Sequence, residues 1–228
     1  SATVETKVTP QERNRVAIDF YINEGSTARI KEVKIIGVTN FDEDDLLNRL
    51  DLKPTSFLSW WNKDDRYSRQ VLTGDLEKIR SFYMNRGYLD FDIENTTVSI
   101  SETKKNVYIA IIIDEGDKYN FGDIRISGKF YPLKEESIFQ NNIKTSKGEV
   151  FSRKLLNQST ESINQELGNY GYAFSNVNPI PDVDKNNLTV GFNYFIEPGK
   201  KVYVRRISFI GNERTQDKVL RREMRQFE

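Results

Sequence analysis

The spacing of three pairs of glycines constrains this chain more than any other feature. Gly25 stands twelve residues before Gly37, Gly116 twelve before Gly128, and Gly199 twelve before Gly211. In each copy the residues two and four before the second glycine are apolar: Ile35 and Val33, Ile126 and Ile124, Phe209 and Ile207. Such a period-two apolar pair ending in Gly reads as a half-buried strand entering a turn. An acidic residue, Glu24, Glu115 or Glu197, precedes each first glycine by one or two positions. Self-similarity at intervals of 91 and then 83 residues predicts an array of small domains. Units of that size are large enough to fold around their own cores. Residues 25–115 and 116–198 form two complete units; residues 1–24 read as the closing hairpin of a preceding unit and 199–228 as the start of a following one. The chain therefore reads as a piece of a longer array.

Composition narrows what such an array can do. Lys and Arg total 34, as do Asp and Glu, a balance that argues against nucleic acid as a partner. The absence of Cys and His leaves no thiol nucleophile, no imidazole base and little basis for zinc, copper or haem chemistry. No cofactor, metal or catalytic residue is expected. The lack of Cys does not fix the compartment, because proteins outside the cytosol can do without disulfides. No apolar run approaches the ~18 to 20 residues of a membrane span, so this segment reads as soluble.

Both units carry one plan. In the first, Ile30–Ile36 is a strand, and Phe41–Leu50 a short helix with acids at its start. A long connection containing Trp60 and Trp61 leads to a helix over about 68–86, with Ser68 as N-cap and Gly87 at its end. Leu89, Phe91 and Ile93 alternate on odd positions but Val98 and Ile100 on even ones, which predicts a β-bulge near Asn95–Thr97. Val107–Ile113 is almost continuously apolar, the pattern of a central strand enclosed on both faces. The second unit repeats this with strand Phe121–Ile126, helices Leu133–Asn141 and Ser152–Asn169, and strands at Asn176–Pro181 and Leu188–Ile196. Pro179 and Pro181 cannot donate to a ladder and place their strand at an edge. The fold class is α+β, each unit β-α-α-β-β, with two helices on a three-stranded mixed sheet. The strand before the central one is then an exposed edge, and exposed edges bind strands.

The β-α-α-β-β order, the acidic-Gly entry, the Gly after the first strand and the Gly-Tyr after the long helix resemble POTRA domains. These are periplasmic modules of outer-membrane β-barrel assembly and secretion proteins. The strings VETKVTP, LTGDLEKIRSFYMNRGY, YGYAF and VLRREMRQFE look closest to the barrel-assembly branch. On that likeness residues 1–24 end a second POTRA domain, 25–115 and 116–198 are the third and fourth, and 199–228 begin the fifth. The resemblance implies a non-enzymatic periplasmic scaffold, the soluble part of an outer-membrane protein whose own C-terminal barrel lies outside this stretch. Its partners would be unfolded outer-membrane proteins and assembly lipoproteins.

The resemblance also implies sites. Lipoprotein contacts fall on Glu94, Val98 and Tyr108 in the third domain, and on Arg221 and Glu228 in the fifth. Extended clients would pair with Leu89, Phe91, Ile93, Asn95 and Thr97, and with Ala173, Ser175 and Val177. Each has a plainer alternative: Val98 packed inward on an ordinary hairpin, the charges of the last helix solvated, and Trp60 and Trp61 sealing a loop onto the core. Gly74, inside the long helix, predicts a close approach of helix to sheet. The run Asp182-x-Asp184-x-Asn186 begins like a calcium loop, but Asn187 and Asn193 stand where such a loop needs Gly and Glu. Three rivals remain: the periplasmic part of a secretion barrel, a hydrolase using carboxylates alone, and a nucleic-acid binder on a βα sheet. Scattered acids disfavour the second and balanced charge the third.

Overall fold

The structure, a computed structural model, describes residues 3–11, 15–23, 28–55, 66–129 and 137–224. The chain divides into two compact units, residues 1–117 and 118–228. At the start of the first, β1 (Thr3–Gln11) and β2 (Arg15–Asn23) form an antiparallel hairpin in which Val8 faces Ile18. Val4, Val8, Val16, Ile18, Phe20 and Ile22 share one face of it, each half or more exposed.

The main fold of the first unit is β3 (Arg29–Ile36), α1 (Glu43–Leu47), α2 (Arg69–Met84), β4 (Asp92–Ile100) and β5 (Asn106–Asp114). The sheet order is β3-β5-β4, with β5 parallel to β3 and antiparallel to β4. The second unit repeats it as β6 (Asn120–Gly128), α3 (Ser137–Gln140), α4 (Arg153–Asn169), β7 (Asn176–Asp184) and β8 (Thr189–Glu197), in the order β6-β8-β7. This is the expected mixed sheet. A parallel pair needs a crossover, and the two helices supply it on one face.

The central strands correct one expectation. Neither β5 nor β8 is enclosed on both faces. Val107, Ile109, Ile111 and Ile113 are buried, whereas Tyr108 is exposed and Ala110 and Ile112 half-buried between them. Val190, Phe192, Tyr194 and Ile196 alternate with half-buried residues in the same way. The described helices cover one side, so the near-continuous apolar run lines a core on one face and a more exposed sheet surface on the other.

In the first two pairs the second glycine is required by contact, whereas nothing lies within 4 Å of where a Cβ at Gly211 would stand. Gly37 has φ +99°, and a Cβ there would stand 2.1 Å from the Ile113 carbonyl oxygen; at Gly128, φ +136°, it would stand 2.1 Å from that of Ile196. First and central strands thus come together at their ends where a side chain cannot fit. The long helices end alike: Tyr88 donates to the Tyr83 carbonyl at 3.2 Å and Tyr172 to that of Leu167 at 3.0 Å. These bonds close a Schellman-type turn on each Gly-Tyr and bury both tyrosines. Ser152 caps α4 by accepting from the Leu155 amide at 3.5 Å, while Ser68 stands at the α2 N-cap without a side-chain bond.

Buried polar groups tie the loops down; of these the sequence marked only Glu115, as the acid before Gly116, and not its partners. Asp75 on α2 is fully buried and accepts from the amides of Asp51 (2.9 Å) and Leu52 (2.8 Å) and from Lys78 Nζ (2.8 Å). Ser159 holds the matching place on α4, accepting from the Lys144 amide at 2.8 Å. Glu115, 4 % exposed, accepts from the Thr39 amide (3.0 Å), the Asn40 amide (3.0 Å), the Tyr83 hydroxyl (2.8 Å) and the Thr39 hydroxyl. Burial alone would raise the Glu115 pKa, but the bonds from Thr39, Tyr83 and Asn40 outweigh it and hold the carboxyl below its ordinary value. Burial, then the bond to Glu115, pushes the Tyr83 phenol up.

The acidic-Gly likeness merges two positions. Because Gly37 abuts Ile113 and Gly128 abuts Ile196, Glu197 corresponds to Asp114, and Pro198 stands where Glu115 does. The carboxylate tether therefore belongs to the first unit. The strand expected before Gly211 is not found among the described residues. Residues 199–216 form no strand, since none of the described strands lies beside them, and α5 (Asp217–Glu223) is a helix of seven residues.

A depressed carboxyl pKa stabilises the fold above the ordinary value of 4.5, and that contribution is lost as pH falls through the folded-state value. Glu115→Gln should cost the first unit about 2 kcal/mol at neutral pH, by leaving buried donors unmatched. It should also flatten the acid limb of a denaturation series measured by circular dichroism. An unchanged acid limb would remove Glu115 from that role.

Candidate interaction edges

Among the described residues, four strands lie at the edges of the two three-stranded sheets, and their backbone groups meet different fates. On β3, the Ile35 amide donates to Glu43 Oε1 at 2.8 Å, and the Ile30 carbonyl accepts from the Thr55 amide at 2.8 Å and its hydroxyl at 3.0 Å. The acids at the start of α1 thus include one that caps a strand edge, beyond any favourable placement at a helix start. On β6, residues 148–151 run antiparallel to the strand start: the Phe121 amide donates to the Glu149 carbonyl and the Gly148 amide to that of Phe121, both at 2.7 Å. Strands β4 and β7, the expected edges, have a paired neighbour on one side only among the described residues.

The bulge in β4 sits one residue earlier than the alternation predicts. Ile93 faces Ile113 and Asn95 faces Ile112, which leaves Glu94 as the extra residue, exposed to solvent. Polar residues from 94 to 97 suit either face, so the pattern located the change of face without fixing its position. Val98 lies opposite Ile109 on the helix-covered face and packs half-buried against the core. Tyr108 projects from the bare face, 38 % exposed and opposite Ser99. Glu94, Val98 and Tyr108 therefore do not form one flat patch: the edge strand runs between them.

Of the residues expected to line client edges, Ile93, Asn95 and Thr97 are in β4 and Val177 in β7. Leu89 and Phe91 lie ahead of β4, which starts later than the alternation suggests, and Ala173 and Ser175 lie ahead of β7, which starts at the expected Asn176. Each chain first makes a turn to descend from helix to sheet. Phe91 is 3 % exposed and stacks on Tyr83 with centroids 4.4 Å apart, in a cluster with Phe41, Phe82 and Tyr88. The Ser175 hydroxyl bonds to Asn164 Oδ1 on α4 at 3.0 Å. These residues anchor the strand starts rather than present an edge.

On α5, Arg221 donates to the Ile207 carbonyl at 2.7 Å and its guanidinium lies 5.6 Å from the Phe209 ring centroid, so it binds within its own segment. Glu228, Arg225 and Phe227 lie outside the described residues, as do Trp60 and Trp61. Gly74 departs from expectation: nothing lies within 4 Å of where its Cβ would stand, so no packing in the structure requires glycine there. Asp184 accepts from the Asn186 and Asn187 amides at 3.0 and 3.1 Å, shaping the β7–β8 loop. No group of three or more potential metal ligands is found among the described residues. Nor is any helix among them long and apolar enough to cross a membrane.

Comparison with known proteins accords with this architecture. The chain is 34% identical over 217 residues to the outer membrane protein assembly factor BamA of Buchnera aphidicola, covering 94% of this chain and 34% of that protein. It is 32% identical over 225 residues to BamA of Neisseria meningitidis serogroup B, covering 99% of this chain and 28% of that one. The chain thus spans about a third or less of the length of these relatives. The crystal structure of Haemophilus influenzae BamA POTRA3-5 superposes with a TM-score of 0.72 at 27% identity, covering 89% of this chain and 79% of that one. The POTRA family, described as "Surface antigen variable number repeat", matches residues 28–116 and 119–199, one match on each β-α-α-β-β unit, and the chain belongs to that family.

Proposed function

We propose that this chain is a periplasmic part of an outer-membrane β-barrel assembly factor, which receives unfolded outer-membrane proteins and docks assembly lipoproteins while a C-terminal barrel, outside this sequence, lies in the membrane. The observation that carries the reading is the edge strand β4, unpaired on its outer side among the described residues, in a chain similar over most of its length to assembly factors. An extended client satisfies an edge through backbone N–H and C=O groups alone, which suits a client pool of many sequences. Contacts repeated along tandem domains raise the effective concentration of a client without demanding tight binding at any one. The role is binding and hand-over, not catalysis.

Lipoprotein docking in the first unit centres on Tyr108, with Glu94 at the bulge and Val98 across the edge. A partner that touches all three wraps the β4–β5 hairpin from the bare sheet face. Arg221 and Glu228 are the proposed contacts of the last segment, Arg221 through the face it shares with Phe209.

Two measurements test these roles. A photo-crosslinking residue in place of Thr97, in the full-length protein in cells, should capture outer-membrane barrel proteins; adducts with no barrel protein among them contradict the client role. Tyr108→Ala should weaken lipoprotein binding roughly tenfold, about 1.4 kcal/mol, without changing the melting temperature. Unchanged affinity would remove Tyr108 from the docking surface.

A further inference from the structure

Glycine inside a helix is unfavourable, and at Gly74 on α2 no packing within the chain offsets that: nothing lies within 4 Å of where its Cβ would stand. The missing side chain leaves space instead. Gly74 lines an open groove whose walls include Ser81, Phe82, Asn85 and Arg86 and, from the segment after α1, Arg49. Gly74, Lys78, Ser81 and Asn85 follow one another at steps of four, three and four and so share one helix face.

Two guanidinium groups meet toward one end of this groove. Arg49 lies 4.7 Å and Arg86 3.7 Å from the Phe82 ring centroid, and Arg86 Nη1 also donates to the Phe82 carbonyl at 3.0 Å. Held on one ring, the like charges repel: partial burial, then the Arg49 charge, lowers the Arg86 pKa. Other cations of α2 are matched within the unit. Lys78 Nζ reaches Asp51 Oδ1 at 2.7 Å and Asp75 Oδ1 at 2.8 Å, and Arg80 reaches Asp92 at 3.1 Å. No carboxylate of the described residues lies within ion-pair distance of Arg49 or Arg86. Two planar forks beside each other and without an acid suit a carboxylate that accepts from both.

We infer that this face of α2 docks an α-helix of a partner protein, which lies along Gly74 and Ser81 and places a carboxylate between Arg49 and Arg86. Glycine lets a second helix approach closely, and the groove continues along α2 from Gly74 to the arginine pair. The positive charge is too local to draw in an anionic membrane surface: Glu77 lines the same groove, and basic and acidic residues of the chain balance at 34 each. Phe82 lies eight residues beyond Gly74, which at the helical rise is ~12 Å, or about two turns. The fitting helix therefore carries a small residue over Gly74 and an Asp or Glu about two turns away. The site lies on the helix layer, and the inference does not depend on the strand-edge and lipoprotein contacts proposed above.

The probe is a synthetic helical peptide with a central alanine and a glutamate two turns away, titrated into the chain and followed by NMR of backbone amides and arginine Nε–H groups. Shift changes should centre on Gly74, Ser81 and Asn85 and on the side chains of Arg49 and Arg86. Exchanging the peptide's glutamate for glutamine, or Arg49→Gln or Arg86→Gln in the chain, should each weaken binding roughly tenfold. Gly74→Leu separates docking from folding. Its side chain enters open space and favours helix, so the melting temperature should hold or rise while the peptide no longer binds. No binding of the glutamate peptide, binding indifferent to all three exchanges, or a Gly74→Leu variant that binds as the unaltered chain does overturns the site. Shifts at Arg49 and Arg86 caused by phosphatidylglycerol vesicles or by inorganic phosphate, with none caused by the peptide, overturn the helix as occupant in favour of a lipid surface or a free anion.

Discussion

The parallel pairing of the first and last strands of each unit is the constraint from which the rest follows. Two parallel neighbours cannot be joined by a tight turn, so the chain between β3 and β5 must cross over the sheet, and it does so as two helices and one returning strand. The crossover covers one face. A three-stranded sheet built this way has one bare face and the returning strand β4 or β7 at its rim. Gly37 and Gly128 mark where the parallel pair closes, a Cβ at either lying only 2.1 Å from a carbonyl oxygen of the neighbouring strand.

Holding so small a crossover in place takes polar anchors as well as an apolar core. Asp75 and Ser159 reach from the long helices to amides of the preceding loop. Glu43 reaches back to β3, and Glu115 clamps the turn after β3 to the end of β5. Each satisfies backbone donors that would be costly to bury alone. The anchors are not copied between units: a carboxylate in one is a hydroxyl in the other at 75 and 159, and a glutamate becomes a proline at 115 and 198. The repeat conserves geometry at the glycines and varies the chemistry that fixes the loops.

This difference explains what could be read from the sequence. Strand order, the two-helix plan and the central position of Val107–Ile113 rest on periodicity and glycine spacing, which are local. The anchors depend on which distant amide a side chain meets, and no spacing rule links Glu115 to Asn40 or Asp75 to Leu52. The alternation predicts too early a start for β4 because Leu89 and Phe91 continue it while serving the turn and aromatic cluster before the strand. The bulge fell at Glu94 because polar residues carry no record of which face they occupy. Gly74 predicts a close packing of helix on sheet that the structure lacks. Pro179 and Pro181 were legible as edge residues, but that both turn outward, opposite Tyr194 and Phe192, required the register.

The edges then divide the labour. Glu43 and Thr55 cap β3, residues 148–151 cover the start of β6, and two prolines blunt β7; β4 keeps its alternating donors and acceptors. An unprotected edge is an aggregation hazard, so its persistence beside the three managed edges of the two three-stranded sheets points to use. Hydrogen exchange of the β4 amides in the chain without any ligand tests this most directly. The account predicts slow exchange at Thr97 and Ser99, which face β5, and fast exchange at Val98 and Ile100, which face outward. Equally slow exchange at all four would show the edge already covered and would contradict it.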